Sequence, residues 1–232
     1  MKFINQIHDA LKYTLKDWKA IVLLGIIICI SDTSREFHVE NIYLSLLVFI
    51  ISIGILLFEE GYRFKIVSET LNGNNYPPII ENVYELIKEG FYEVVTLYAY
   101  FIVYLIFYDI YALFKGNIVI GIILFSLSQM VILSFFGAPI YKALNDGKFK
   151  SAFNIYGILK LYSKMGLYQT IFMLIVSIIS QNIIISSVLD MGVLQTHHLL
   201  EFLLNFFLAP ILLLFETRLI SVCGKEAISN QN

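Results

Sequence analysis

The chain has 232 residues, 58% of them hydrophobic and 15% charged, against roughly 45–50% apolar and about 25% charged in an ordinary soluble domain. That excess excludes a water-soluble core of this size. A net charge of −2, with no basic strip interleaved with aromatics, excludes nucleic-acid binding.

A helix needs about 20 apolar residues to cross a hydrocarbon core about 30 Å thick. Taken in chain order, the first element is an amphipathic stretch in which Phe3, Ile4, Ile7, Leu11 and Leu15 form a stripe opposite Asn5, Gln6, Asp9, Lys12 and Lys16. A short first span, Trp18 to Ser31, follows, with Trp18 and Lys19 as interfacial anchors. The apolar run starts too late for a cleaved signal peptide. A second span covers Ile42 to Phe58 and ends in Glu59, Glu60 and Arg63. Asn72-Gly73-Asn74-Asn75 and Pro77-Pro78 mark a turn. A second amphipathic stretch then sets Ile80, Val83, Tyr84, Ile87 and Phe91 against Glu81, Asn82, Glu85, Lys88 and Glu89. The third and fourth spans are Phe91 to Phe114 and Ile118 to Ile140, followed by a turn at Asn145-Asp146-Gly147. A third amphipathic stretch carries Phe149, Ala152, Phe153, Tyr156 and Leu159. The fifth span is Leu167 to Leu189, and the sixth is Leu199 to Phe215, followed by Glu216 and Arg218.

Six spans place fourteen of the sixteen basic residues on one side, leaving Arg35 and Lys115 on the other. The positive-inside rule then puts both termini in the cytoplasm of a plasma-membrane protein. The expected fold is all-α and polytopic: six transmembrane helices in three hairpins, each preceded by a cytoplasmic interfacial helix. The whole chain is one membrane domain, and three repeat units suggest themselves at 1–71, 72–147 and 148–226, with a tail at 227–232. Asn82-x-Tyr84 with Lys88 recurs 72 residues later as Asn154-x-Tyr156 with Lys160, and Leu56 to Glu59 recurs as Leu213 to Glu216.

Ionisable groups within spans are the natural site candidates. Glu59, Glu60, Arg63, Glu216 and Arg218 are expected to gather at an inner mouth; the blander expectation is interfacial charge pairing. Glu93 lies near the start of the third span, and Pro139 and Pro210 are positioned to free backbone carbonyls. Asp109, Glu201, His38, Asp190 and the His197-His198 pair cluster towards the outer side, but adjacent histidines do not share a helix face and make a poor metal site. Cys29 and Cys223 belong to no ligand spacing and are expected on opposite sides of the bilayer. No cofactor site and no catalytic constellation is expected, and so no enzyme.

Asp9-Ala10-Leu11-Lys12-Tyr13 and Lys16-Asp17-Trp18-Lys19, leading into a short span with Gly25, resemble the opening of a family of multi-pass membrane proteins from archaea, notably methanogens, known as a domain of unknown function. Gly61-Tyr62, Thr70-Leu71-Asn72-Gly73, Pro77 or Pro78 and Gly90 extend the resemblance. Thr14 and Ile79 depart from it, standing where proline and an acidic residue are expected. The resemblance implies membrane location, six helices and no established activity. The leading functional expectation is therefore an integral membrane protein of unassigned activity, a scaffold or lipid-interacting component. The alternative is a permease or channel-like subunit for a small solute or ion. The lipid bilayer is the expected partner, with self-association or a membrane complex left open.

Overall fold

The computed structural model of the protein describes residues 2–36, 42–114, 117–176 and 202–229. Among the described residues all regular structure is helical. In chain order the helices are α1 (Lys2–Thr14), α2 (Trp18–Glu36), α3 (Ile42–Leu71), α4 (Val83–Leu113), α5 (Ile118–Leu144) and α6 (Ile155–Met165), then α7 (Leu167–Val176) and α8 (Ala209–Ser229). A 3-10 turn at Phe149–Phe153 leads into α6, and a π-helical turn at Leu204–Leu208 leads into α8.

Four helix starts, those of α2, α4, α5 and α6, are written in short polar side chains. Asp17 Oδ1 accepts from the N–H groups of Lys19 and Ala20 at 3.0 and 3.3 Å. Asn82 caps α4 through Glu85 N–H at 3.2 Å, Asn117 caps α5 through Val119 N–H at 3.1 Å, and Asn154 caps α6 through Gly157 N–H at 2.9 Å. Such side chains satisfy amide donors that a helix leaves unpaired at its start. The Asn82 and Asn154 motifs thus share a local job, but α4 runs on for 31 residues while α6 stops after 11 at Gly166, whose φ of 90° ends the helix.

Among the described residues, four helices are long and apolar enough to cross a membrane: α3, α4, α5 and the continuous helix Leu204–Ile228. The apolar runs Trp18–Ile30 and Leu167–Val176 are shorter, and most of the expected fifth span and the start of the sixth lie outside the described residues. The expected span ends differ from those observed in a telling way. The helix that holds the second expected span does not stop at Phe58: α3 continues to Leu71 and carries Glu59, Glu60 and Arg63 inside a helix about 45 Å long. That of the sixth likewise continues past Phe215, so Glu216 and Arg218 lie within α8. The second amphipathic stretch is not a separate helix but the first turns of α4.

The reason is visible in what the helices bury. In α3 the buried positions are Gly61, Tyr62, Phe64, Ile66, Val67 and Thr70, all in its second half. In α4 they run from Leu86 to Tyr100, from its first turn to just past its middle. Helix ends rich in charge therefore converge in a packed layer, whereas Ile42, Leu46, Phe49, Phe101, Ile122 and Phe125 stay exposed on the opposite halves. Large apolar faces of this kind suit lipid rather than water.

Close approach of backbones holds the α3–α4 crossing together. A Cβ on Gly61 would meet the Leu86 carbonyl, and one on Gly90 would meet the Leu57 carbonyl. Small residues at crossing points are how membrane helices gain van der Waals contact where the hydrophobic effect gives none. Gly25 of α2 meets the Phe206 carbonyl in the same way. That carbonyl lies four residues before Pro210, which cannot donate to it, and the ladder there relaxes to Ala209 N–H bonding Leu204 O.

Gly61→Ala and Gly90→Ala are each expected to lower stability in bicelles by about 1–3 kcal/mol, the usual cost of overpacking. Gly54→Ala is the control, since nothing lies within 4 Å of its added Cβ. Thermal unfolding of the three variants checks the contrast.

Candidate functional site

The expected ring of Glu59, Glu60, Arg63, Glu216 and Arg218 divides into two sites. Arg218 departs from the others. Its Nε and Nη2 donate to Asp9 Oδ2 of α1 at 3.0 and 2.9 Å. Its Nη1 donates to Thr70 Oγ1 at 3.0 Å and Asn74 O at 2.7 Å, and Nη2 reaches Asn75 Oδ1 at 3.0 Å. The guanidinium also lies 4.4 Å from the centre of the Tyr13 ring. Gly73, with φ of 99°, turns the chain after α3 so that Asn74 and Asn75 can face this cation. A cation beside the carbonyl end of a helix is further favoured by the helix dipole, and Lys225 adds a second, donating to Thr70 O at 3.3 Å. Arg218 is thus a clamp joining α1, α3 and α8. Burial pushes the neighbouring Tyr13 phenol above its ordinary pKa, so it stays neutral in the clamp.

The remaining charges meet between α3, α4, α5 and α8. Arg63 pairs with Glu60 one turn earlier at 3.1 Å and with fully buried Glu216 of α8 at 3.7 Å. Lys142 of α5, also fully buried, donates to Glu89 Oε2 at 2.9 Å and Glu93 Oε1 at 2.7 Å. Its ammonium sits 3.9 Å from the centre of the Phe64 ring of α3, a cation–π contact that a dry setting strengthens.

A cavity of about 50 Å³ lies among these groups, lined by Glu60, Arg63, Glu93, Thr96, Pro139 and Thr217 among others. That is room for a few water molecules. Thr96 and Thr217 donate their hydroxyl hydrogens back to Tyr92 O and Leu213 O, at 2.8 and 2.7 Å, which leaves hydroxyl lone pairs as acceptors. Pro139 lies inside α5 and removes the donor for the carbonyl four residues before it, that of Phe135; both residues line the cavity. The polar chemistry on offer is carboxylate, hydroxyl and carbonyl oxygen beside one guanidinium, set in a wall that is mostly apolar, with Phe64, Leu97, Phe136 and Ile220 among its residues. A larger opening of about 700 Å³, between the other halves of α4 and α5, is lined by Tyr104, Tyr108, Tyr111 and Phe125 among others and has no charged side chain.

Glu59 precedes Glu60 on α3, and cavity-lining residues do not include it. Asp109 lies near the far end of α4; Glu201, His38, Asp190, His197 and His198 fall outside the described residues. Sequence reasoning passed over Glu89 and Lys142. Glu89 and Glu93 are four residues apart and so share a helix face, which is a legible signal. Lys142 hid among the loop lysines, because only α5 running on to Leu144 brings it inside the bundle.

Arg218→Lys keeps the charge but loses the planar fork, and is expected to cost about 2–3 kcal/mol, the scale of a charge-assisted hydrogen bond. Asp9→Asn is expected to cost under about 1 kcal/mol, since the Asp9 side chain is 44% exposed and its pairing is screened by water. Denaturant unfolding in mixed micelles measures both.

A model of the family described as a protein of unknown function (DUF4013) matches residues 43–194. No curated protein and no solved structure matches the chain.

Proposed function

We propose that this chain, which belongs to the DUF4013 family of proteins of unknown function, is a membrane permease or channel-like subunit for a small cation. The observation that carries the reading is the cavity between α3, α4, α5 and α8, whose largely apolar wall carries Glu60, Arg63, Glu93, Thr96 and Thr217 in helices of lipid-suited composition. Charged groups in membrane helices are costly, and those that persist face a cavity and mark ion or substrate paths. Among the described residues the carboxyl groups of Glu60, Glu89, Glu93 and Glu216 outnumber the two basic groups they pair with, Arg63 and Lys142, a balance that favours a cation. A cavity of about 50 Å³ limits the solute to a bare or partly hydrated ion. A proline-freed carbonyl in a broken helix is a common ion ligand in transporters. A scaffold has no need of such a cavity, and no catalytic role is assigned to its residues.

The proposal includes six spans in three hairpins, with α2 and the helix beginning at α7 as the two additional spans. Both termini lie in the cytoplasm of a plasma-membrane protein, because that arrangement gathers the lysine-rich joints on one side. The charged layer then sits at the cytoplasmic end, and the ion pairs Arg63–Glu216 and Lys142–Glu93 act as an inner gate.

Proteoliposomes holding the full chain and a pH-sensitive or cation-sensitive dye test this with protons, Na⁺ and K⁺ as probes. One of the three is expected to cross faster than in empty liposomes. Glu60→Gln and Thr96→Val, compared at equal folded amounts, are expected to reduce that flux at least tenfold. A folded preparation that passes none of the three, or variants that pass the ion unchanged, contradicts the reading.

A further inference from the structure

Two helices flank α8 without forming part of the charged cavity, and both have three faces rather than two. α1 packs on α8 along its length, burying Gln6, Ala10, Tyr13 and Thr14. The Ile4, Leu11 and Leu15 stripe, expected from the sequence to lie along the membrane surface, is not the packed face. Instead the polar and aromatic face turns inward, because Asp9 must reach Arg218 and Gln6 bonds both Gln169 Nε2 at 3.3 Å and Cys223 Sγ at 3.5 Å. Ile4 and Leu15 are left 70% and 67% exposed.

α6 repeats the arrangement on another flank of α8. It buries Gly157, Ile158, Leu161, Tyr162 and Met165 and leaves Ile155 and Tyr156 exposed. The third face of each helix carries exposed lysines: Lys12 on α1, with Lys16 just past its end, and Lys160 and Lys164 on α6. Acidic side chains scarcely appear. α6 has none, and the one on α1, Asp9, is engaged by Arg218. Trp18, 66% exposed, sits at the junction of α1 and α2 with exposed Lys19 beside it.

We infer that α1 and α6 form a collar around α8 that binds anionic phospholipids, their apolar faces entering the acyl boundary and their lysines meeting the headgroups. Helices with one apolar face and one basic face lie in the plane of the membrane surface and select anionic lipid. A lysine at such a surface contributes about 1 kcal/mol, close to a fivefold preference each. Charge complementarity is what chooses this occupant: an acidic protein partner would match the lysines but leave Ile4, Leu15 and Ile155 in water, whereas an anionic leaflet satisfies both faces. The inference stands apart from ion passage through the cavity and needs only that the chain lies in a bilayer.

Spin-labelled phosphatidylglycerol and phosphatidylcholine, each added to the full-length protein in phosphatidylcholine bilayers, give the relative association of the two lipids with the protein surface. A preference for phosphatidylglycerol is expected, weakened in 1 M salt, where the Debye length is about 3 Å. Lys12→Gln/Lys160→Gln/Lys164→Gln is expected to remove most of that preference while its unfolding midpoint in pure phosphatidylcholine stays at the wild-type value. Lys148→Gln is the control: that lysine pairs with Asp146 at 3.1 Å outside both helices, and its loss is expected to leave the preference near the wild-type value. Equal association of the two lipids with the wild type, or a preference that survives the triple change, overturns the inference. So does a preference lost equally in the Lys148→Gln control, which would assign it to overall charge.

Discussion

Everything in this bundle depends on pairing charges that have been taken away from water. Lys142 and Glu216 are fully exposed to neither lipid nor solvent, with no accessible surface at all, and Glu93 and Arg218 are nearly as enclosed. Removing an ion from water costs several kcal/mol even after the protein relaxes. The four long helices can meet at their charged ends only because Lys142 finds Glu89 and Glu93, Arg63 finds Glu60 and Glu216, and Arg218 finds Asp9 and the end of α3. Apolar residues decide which medium the chain enters, but they are too uniform to decide which helix lies against which. The ion pairs supply that choice, together with the glycine contacts at Gly61 and Gly90.

The two charged sites divide the work. Arg218 has five donor contacts to α1, α3 and the following loop, a saturated arrangement that leaves it little to offer a ligand. Two residues earlier on α8, Glu216 faces the other way, towards Arg63 and the layer that surrounds the cavity. One helix thus carries a fixed anchor and a group in the polar layer side by side. Movement of α8 against α3 would have to carry both, which links the position of α1 to the geometry beside the cavity.

Much of this was legible in the residues. The apolar content, the turns at Gly73 and at Asp146-Gly147, and the asparagine and aspartate helix starts all follow from local chemistry. The charges that follow the two apolar runs led to the expectation that Glu60, Arg63 and Glu216 gather, and Arg63 does reach both carboxylates. What local chemistry does not carry is where a helix stops in three dimensions. Apolar runs end at Phe58 and Phe215, yet nothing in Glu59-Glu60-Gly61-Tyr62 or Glu216-Thr217-Arg218 breaks a helix, and protein partners take the place of water. The same reasoning explains Lys142: as a loop residue it is one basic charge among several, and only the continuation of α5 makes it the centre of the site. On α1 the apolar stripe was expected at the membrane surface, and Ile4, Leu11 and Leu15 stay exposed; what the pattern does not carry is that Gln6, Asp9 and Tyr13 make the contacts with α8.

The central claim is that Lys142 and Glu93 hold the bundle together as a pair, and a double-mutant cycle addresses it directly. Unfolding free energies are measured in bicelles for the wild type, Lys142→Met, Glu93→Gln and the double variant. Lys142→Met is expected to lose about 3 kcal/mol or more by leaving buried Glu93 unmatched, and Glu93→Gln less, because Lys142 keeps Glu89. The double change is expected to recover a large part of that loss, giving a coupling of at least about 1 kcal/mol. Additive losses, or single variants as stable as the wild type, would contradict a bundle organised by paired buried charge.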